Sequence, residues 1–167
     1  MYNPINQLPD SCRVWFYQAN RFLQPAEVTS VQHALQDFCQ QWNAHGHDLQ
    51  SSFDIEFNRM VILTVNEQAG SASGCSIDGS VRVFKGLNQE MGIDFLSRTD
   101  LAYLDGEHLR TVPVNRLKEK FSQGELTAAS QIINVWAGSL GEWRLRKVVP
   151  AEKTWLAKYL PKSALAI

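Results

Sequence analysis

The chain contains one segment that is apolar on both faces of an extended strand, residues 60–65 (MVILTV). A strand of this kind is buried between neighbours, so we expect it at the centre of a sheet. Residues 52–57 precede it and alternate apolar with acidic side chains, which is typical of a strand with one buried face. Only Asn58 and Arg59 separate the two segments, so we predict a hairpin.

Two amphipathic helices flank this hairpin in the sequence. After Pro25, apolar side chains recur at helical spacing at Val28, Val31, Leu35, Phe38 and Trp42. A small-residue stretch at 69–80 then joins the central strand to a second helix, and that helix is closed by Gly92. Its apolar stripe consists of Ile77, Val81, Phe84, Leu87 and Met91. Such stripes place one face of each helix against a sheet.

A strand at residues 13–19 precedes the first helix, and another within residues 93–104 follows the second. The predicted order is therefore βαββαβ. This is the ferredoxin-like (split βαβ) α+β fold, an antiparallel sheet with two helices on one face and with strands one and three as parallel neighbours. We expect the opposite face to carry Trp15, Tyr17, Asp54 and Glu56, where two large aromatic rings require a cover.

The chain has 167 residues, enough for one domain with a real core, and no linker or repeat interrupts it. We predict a single domain, 1–167, made of a loose N-terminal segment (1–12), the βαββαβ core (13–104) and a C-terminal α/β elaboration (105–167). In the elaboration we expect a strand near 109–114, a helix near 115–122, a strand near 131–136 and an aromatic-rich tail with Trp143, Trp155 and Tyr159.

Composition argues against several classes of partner. A formal net charge of −1 provides no long-range basic field for nucleic acid. The apolar runs are strand-length, far short of a membrane span, and the first residues lack the basic and apolar parts of a secretory signal. Three cysteines (Cys12, Cys39, Cys75) without a CxxC pair favour reduced thiols in a cytoplasm over a disulfide framework.

The small-residue stretch 69–80 is the first candidate site, because free amides at a helix start attract anions and thiolates. A Walker A loop and a GxGxxG fingerprint are both absent from it. A phosphatase-type loop would need arginine six positions after Cys75, where Val81 stands. Cys75 is the candidate nucleophile, or else a small buried core residue. Asp78 either orients a ligand or caps the helix.

Gln18 and Arg21 complete this candidate site. Parallel strands one and three would end at one sheet edge, so we expect these two residues beside Ser73, Gly74, Ser76 and Asp78. An arginine beside a helix N-terminus is a carboxylate or phosphate clamp. The alternative is an Arg21–Asp78 salt bridge that tethers two loops.

His45 and His47 form a second candidate, as a base for Cys75, as zinc ligands or as a polar helix end. The split βαβ layout separates His45 from Cys75, and a zinc site needs about four ligands. We therefore expect no metal and no cofactor.

Several segments of the chain are similar to segments of a known protein family: residues 15–21 (WFYQANR), 42–46 (WNAHG), 73–78 (SGCSID), and Ser97-Arg98 with Ala102-Tyr103. Over residues 13–160 the chain resembles a family of small uncharacterised bacterial proteins, some of which carry the label "ABC transporter ATPase". The resemblance implies a bacterial, cytoplasmic, single-domain protein and no particular mechanism. The ATPase label conflicts with the missing Walker A loop.

Two hypotheses about function remain. In the first, the protein binds a small anionic ligand at the edge formed by Arg21 and residues 74–78, with thiol chemistry at Cys75; whether it is an enzyme stays open. In the second, it is a non-catalytic protein-interaction module that uses its aromatic sheet face or its C-terminal tail, with a homodimer as one form.

Overall fold

The computed structural model describes residues 1–44, 47–69 and 74–160. The chain forms two compact units, each drawn from two stretches of sequence. Unit 1 comprises Met1–Ser97 and Ala137–Arg144, and unit 2 comprises Arg98–Trp136 and the chain from Leu145 onward. None of the helices in the described ranges combines the length and apolarity needed to cross a bilayer.

Unit 1 contains a three-stranded antiparallel sheet and two long helices. Its elements are β1 (Arg13–Gln18), α1 (Pro25–Gln41), β2 (Asn43–Ala44), β3 (His47–Asp48), β4 (Gln50–Glu56), β5 (Met60–Asn66) and α2 (Gly74–Met91). The strand order is β1-β5-β4, and every residue of β5 is buried. The apolar sequence of β5 therefore predicts its central position correctly, and β4 and β5 form the expected hairpin.

Both predicted helices of unit 1 are present, but α2 is longer than the sequence indicates. It begins at Gly74, so residues 74–80 are helical although we predict a loop there. Ser80 shows why this part of the helix is stable: it is 1% exposed and its hydroxyl donates to the Ile77 carbonyl at 2.7 Å. The same hydroxyl lies 2.8 Å from that of Tyr17 on β1. Ser80 thus extends the buried face of α2 toward its N-terminus.

The helices cover one face of the sheet, and Trp15 and Tyr17 of β1 lie on that covered face. The ring of Trp15 is 5.9 Å from that of Trp42 at the end of α1, and Tyr17 stacks on Phe84 of α2 at 3.9 Å. The prediction that Trp15 and Tyr17 point away from the helices is therefore wrong. Alternation decides which residues share a face but not which face receives the helices.

The strand pairing differs from the ferredoxin-like topology. That topology requires parallel first and third strands, whereas β1 runs antiparallel to β5, with Arg13 opposite Val65 and Gln18 opposite Met60. The strand expected within residues 93–104 is β6 (Asp100–Asp105), and it belongs to the sheet of unit 2. The coarser prediction holds, since the chain is a mixed α/β protein with antiparallel sheets.

Besides β6, unit 2 contains β7 (His108–Pro113), α3 (Leu117–Ser122), β8 (Gln131–Ile133), β9 (Val148–Pro150) and three 3₁₀-helices, Val114–Arg116, Ala151–Lys153 and Trp155–Tyr159. Its four strands form an antiparallel sheet in the order β7-β6-β8-β9. The core of the unit consists of buried side chains from the sheet, the helices and the segments between them. They are Leu101, Val112, Leu117, Phe121, Leu126, Ile132, Ala151, Leu156 and Leu160. The strand and helix expected at 109–122 are present. The strand expected at 131–136 ends at Ile133.

Helix α4 (Leu140–Leu145) lies in the stretch that returns to unit 1 and holds its N-terminal segment in place. The guanidinium of Arg144 donates to the carbonyls of Ile5 and Leu8 and to the carboxylate of Asp10. The amide of Gly141 donates to the Asp10 carbonyl at 2.9 Å. Residues 1–12 are therefore bound to the fold, contrary to the expectation of a loose segment.

Candidate functional site

Arg21 is already paired with a carboxylate at the start of α1. Its guanidinium donates to both carboxylate oxygens of Glu27, each at 2.8 Å. This hydrogen bonding lowers the pKa of Glu27 from 4.5 to about 2, and the Gln24 amide, which also donates to that carboxylate, contributes. Glu27 lies in the first turn of α1, where its negative charge is attracted by the positive end of the helix dipole. Arg21 thus stabilises the start of α1.

The strand pairing separates Arg21 from the start of α2. Gln18 ends β1 opposite Met60, the first residue of β5, whereas the chain leaves the far end of β5 to enter α2. Strands of this length span about 20 Å. The residue beside Arg21, Asn20, donates its amide to the carbonyl of Asp94, beyond the C-terminal end of α2. The parallel arrangement on which the combined site depends is therefore wrong, and Arg21 pairs with Glu27 instead of Asp78.

The remaining members of that combined site lie at the start of α2. Ser73 is outside the described residues, as are the side chains of Cys75 and Ser76. The backbone places α2 from Gly74, so helix-start amides occur in the predicted segment. Asp78 is exposed in the second turn of α2. The position of Asp78 within the helix corrects the expectation that it is the N-cap residue.

The two described thiols, Cys12 and Cys39, give no reactive centre. Cys12 and Cys39 are fully buried and free, and burial raises the pKa of both, that of Cys39 to about 11. His45 lies outside the described residues, as does the side chain of His47. In the described part of the chain, no three histidine, cysteine or acidic side chains cluster as metal ligands.

Unit 2 carries a different candidate, which we call the aromatic corner: Trp136, Trp155 and Tyr159. The rings of Trp136 and Trp155 meet edge to face, with centroids 6.4 Å apart and planes at 82°. The rings of Trp155 and Tyr159 meet in the same way at 6.1 Å and 70°. Trp136 is 44% exposed and Trp155 39%, although most large apolar side chains among the described residues are buried. The three rings form perpendicular walls at the surface.

The 3₁₀-helix Trp155–Tyr159 positions two of these walls. Its first turn is capped by Thr154, whose hydroxyl accepts from the amide of Leu156 at 3.1 Å. Leu156 is fully buried in the core of unit 2, so the helix is fixed by its apolar side. The ring of Tyr159 also stacks on the buried ring of Phe121 at 6.0 Å. The rings of Trp155 and Tyr159 are therefore held in place by packing of the same 3₁₀-helix against the core of unit 2.

The third wall, Trp136, stands in the turn after β8. Asn134 fixes this turn, since its amide donates to the carbonyl of Lys147 at 2.9 Å and its side chain donates to that of Arg146 at 3.0 Å. β8 pairs with β9, and β9 leads directly into the 3₁₀-helices. Strand pairing thus brings Trp136 to Trp155.

A cation already contacts the aromatic corner. The ammonium nitrogen of Lys158 lies 4.9 Å from the centroid of the Trp155 ring and 5.0 Å from that of Tyr159. Both distances are within the range of cation–π attraction, in which the electron-rich ring face binds positive charge. The corner therefore accommodates an ammonium group between two of its rings.

The sequence points to part of this corner, because Trp155 and Tyr159 stand in the aromatic tail of the second hypothesis. It gives no reason to add Trp136, and it wrongly adds Trp143, which is 3% exposed and packs on Phe16 within unit 1. Comparison with protein-family models, with curated proteins and with solved structures finds no match to this chain.

Proposed function

We propose that this chain is a non-catalytic protein-interaction module and that the aromatic corner binds its partner. The observation that carries the proposal is the exposure of two tryptophans, Trp136 and Trp155, held in fixed contact by the core beneath them. Tryptophan and tyrosine are the residue types most enriched at the energetic centres of protein interfaces. Within this proposal the module is cytoplasmic, because Cys12 and Cys39 are free thiols.

The size of the exposed patch indicates what kind of partner it binds. With about 40% of each ring system exposed, the two tryptophans offer roughly 200 Å². A stable interface between two folded proteins takes about 800 Å² from each partner. The corner is too small for that by itself, so we propose a short segment of a partner chain as its occupant in preference to a second copy of this chain.

Anion binding at residues 73–78 with thiol chemistry at Cys75 remains a separate hypothesis. Without Arg21, this hypothesis is supported by the free backbone amides at the start of α2. Every helix has such amides, including helices that bind no ligand. We therefore place the interaction module first.

Selection from a displayed library of random peptides, in which lysine occurs both unmodified and methylated, tests the proposal, because it needs no knowledge of the partner. We expect the full chain to enrich peptides whose affinity falls at least tenfold in the W136A/W155A variant, as removal of interface tryptophans costs about 2 kcal/mol or more. Circular dichroism shows whether the variant keeps its fold. Phe22→Ala is the matched control, because Phe22 is an aromatic of unit 1 that is 47% exposed.

The control should leave binding of the enriched peptides unchanged. Peptides that bind W136A/W155A as tightly as the unaltered chain would show that the corner is not the binding surface. Failure to enrich any peptide would also count against the module.

A further inference from the structure

We infer that the group bound at the aromatic corner is an alkylated ammonium, and specifically a trimethylated lysine side chain on a partner segment. This inference rests on the proposed function and adds the chemistry of the ligand. Its starting point is Lys158, whose ammonium lies at 4.9 and 5.0 Å from two ring centroids. Lys158 occupies the position that we assign to the partner's cation.

The angles between the rings favour a compact group over a flat one. A nucleic-acid base or another planar ligand binds by stacking and needs an open, parallel face. The walls of the corner instead stand at 70° and 82° to one another, so the faces of Trp155 and Tyr159 converge on one point. A roughly spherical ammonium group contacts both faces at once, as Lys158 does.

Hydration determines which ammonium group binds best. The primary ammonium of lysine is compact and strongly hydrated, so Lys158 loses little when it leaves the rings for water. A trimethylammonium group has no N–H donors to desolvate, keeps its positive charge and adds apolar surface. Recognition of such groups by aromatic cages is the main functional use of cation–π attraction. The rings therefore favour a trimethylammonium group over the Lys158 ammonium.

Trp136 gives the site its third wall. Its plane is at 82° to that of Trp155, and its ring is among the most exposed in the chain. Lys158 contacts Trp155 and Tyr159, so Trp136 enters the proposal as the neighbouring exposed ring of the corner. We expect the partner segment that carries the trimethylated lysine to pack against it.

Matched peptides test the inference on the full chain. One short peptide carries trimethyllysine, a second carries its neutral isostere, in which carbon replaces the quaternary nitrogen, and a third carries unmodified lysine. Binding is followed by NMR through the indole N–H signals of Trp136 and Trp155. We expect the trimethyllysine peptide to bind at least fivefold tighter than each of the other two, and at least tenfold tighter than tetramethylammonium chloride, which lacks the flanking peptide.

Substitution of Lys158 tests whether its ammonium group competes with the trimethyllysine peptide for the aromatic corner. Lys158→Gln removes the internal ammonium, so we expect it to bind the trimethyllysine peptide about three- to tenfold tighter than the unaltered chain does. Lys153→Gln, at an exposed lysine of the preceding 3₁₀-helix, is the control and should change the affinity less than twofold. Trp155→Phe keeps an aromatic wall with a weaker ring face and should weaken binding severalfold.

Equal binding of the charged peptide and its neutral isostere would overturn the inference. So would a K158Q variant that shows no gain, or tetramethylammonium binding as tightly as the peptide. The proposed function fails separately: if displayed peptides without a cationic residue bind in a Trp155-dependent way, the module stands and only the ligand assignment falls.

Discussion

Gly141→Ala is the substitution whose cost follows most directly from the structure. A Cβ atom added at Gly141 would lie 2.6 Å from Cβ and 3.0 Å from Cγ of Asp10, and 3.2 Å from the Asp10 carbonyl oxygen. Carbon atoms in contact normally stand about 3.5–4.0 Å apart. The N-terminal segment must therefore move by roughly 1 Å, and the hydrogen bond from the Gly141 amide to that carbonyl lengthens.

Opposing effects set the size of the change. Overpacking of this kind costs about 1–3 kcal/mol, and a weakened hydrogen bond adds about 0.5–1.5 kcal/mol. Alanine recovers up to about 1 kcal/mol, because it restricts the unfolded chain and favours helix. We expect a net loss of about 0.5–4.5 kcal/mol in the free energy of unfolding. For a chain of this size that lowers Tm by roughly 1–18 °C.

Thermal and urea unfolding of Gly141→Ala, followed by circular dichroism, measure this loss. Gly86→Ala is the matched control: it makes the same change within α2, where nothing lies within 4 Å of the added atom. It should stabilise the protein by up to about 1 kcal/mol. In an Asp10→Gly background the two closest atoms are gone, so Gly141→Ala should cost less. A Gly141→Ala protein as stable as the unaltered chain would refute the close approach of Asp10 to α4.

Two further predictions concern titrating groups. The pKa of Glu27 is about 2 in the folded protein and 4.5 ordinarily, so the Arg21 pair stabilises the fold above pH 4.5 and this contribution disappears as the pH falls to about 2. Chemical denaturation across that range should show a shallower acid dependence for Glu27→Gln, most clearly at low salt; identical profiles would contradict the pairing. Cys12 and Cys39 are buried with raised pKa values, so folded Cys75→Ser should not react with a thiol reagent at pH 8 until it unfolds, and rapid labelling would contradict their burial. In the unaltered chain, labelling of Cys75 with a midpoint well below the ordinary thiol pKa of about 8.5 would support the thiol hypothesis.

Local sequence patterns predict the elements of this fold better than their arrangement. The doubly apolar run 60–65 correctly predicts a central strand, and the stripe from Val28 to Trp42 correctly predicts α1. Strand direction depends on pairing between distant segments, and nothing local to residues 13–18 indicates that β1 runs antiparallel to β5. The combined site with Arg21 is wrong for this reason.

The aromatic corner shows the same limit at the level of a site. Trp155 and Tyr159 are four residues apart, so their proximity is local and the tail is a natural candidate from sequence. Trp136 joins them only because Ile132 of β8 pairs with Val149 of β9. A second signal, the interleaved Lys158, is visible in the sequence but acquires meaning only from its two ring contacts.

The division of unit 1 between two stretches of chain has a consequence for biosynthesis. The ring of Phe16 is covered by Trp143, and the carbonyls of Ile5 and Leu8 are bound by Arg144. A ribosome making roughly 5–20 residues per second delivers those partners several seconds after Ser97. During that interval the nascent sheet exposes an apolar surface, which makes it a substrate for chaperones that capture emerging chains.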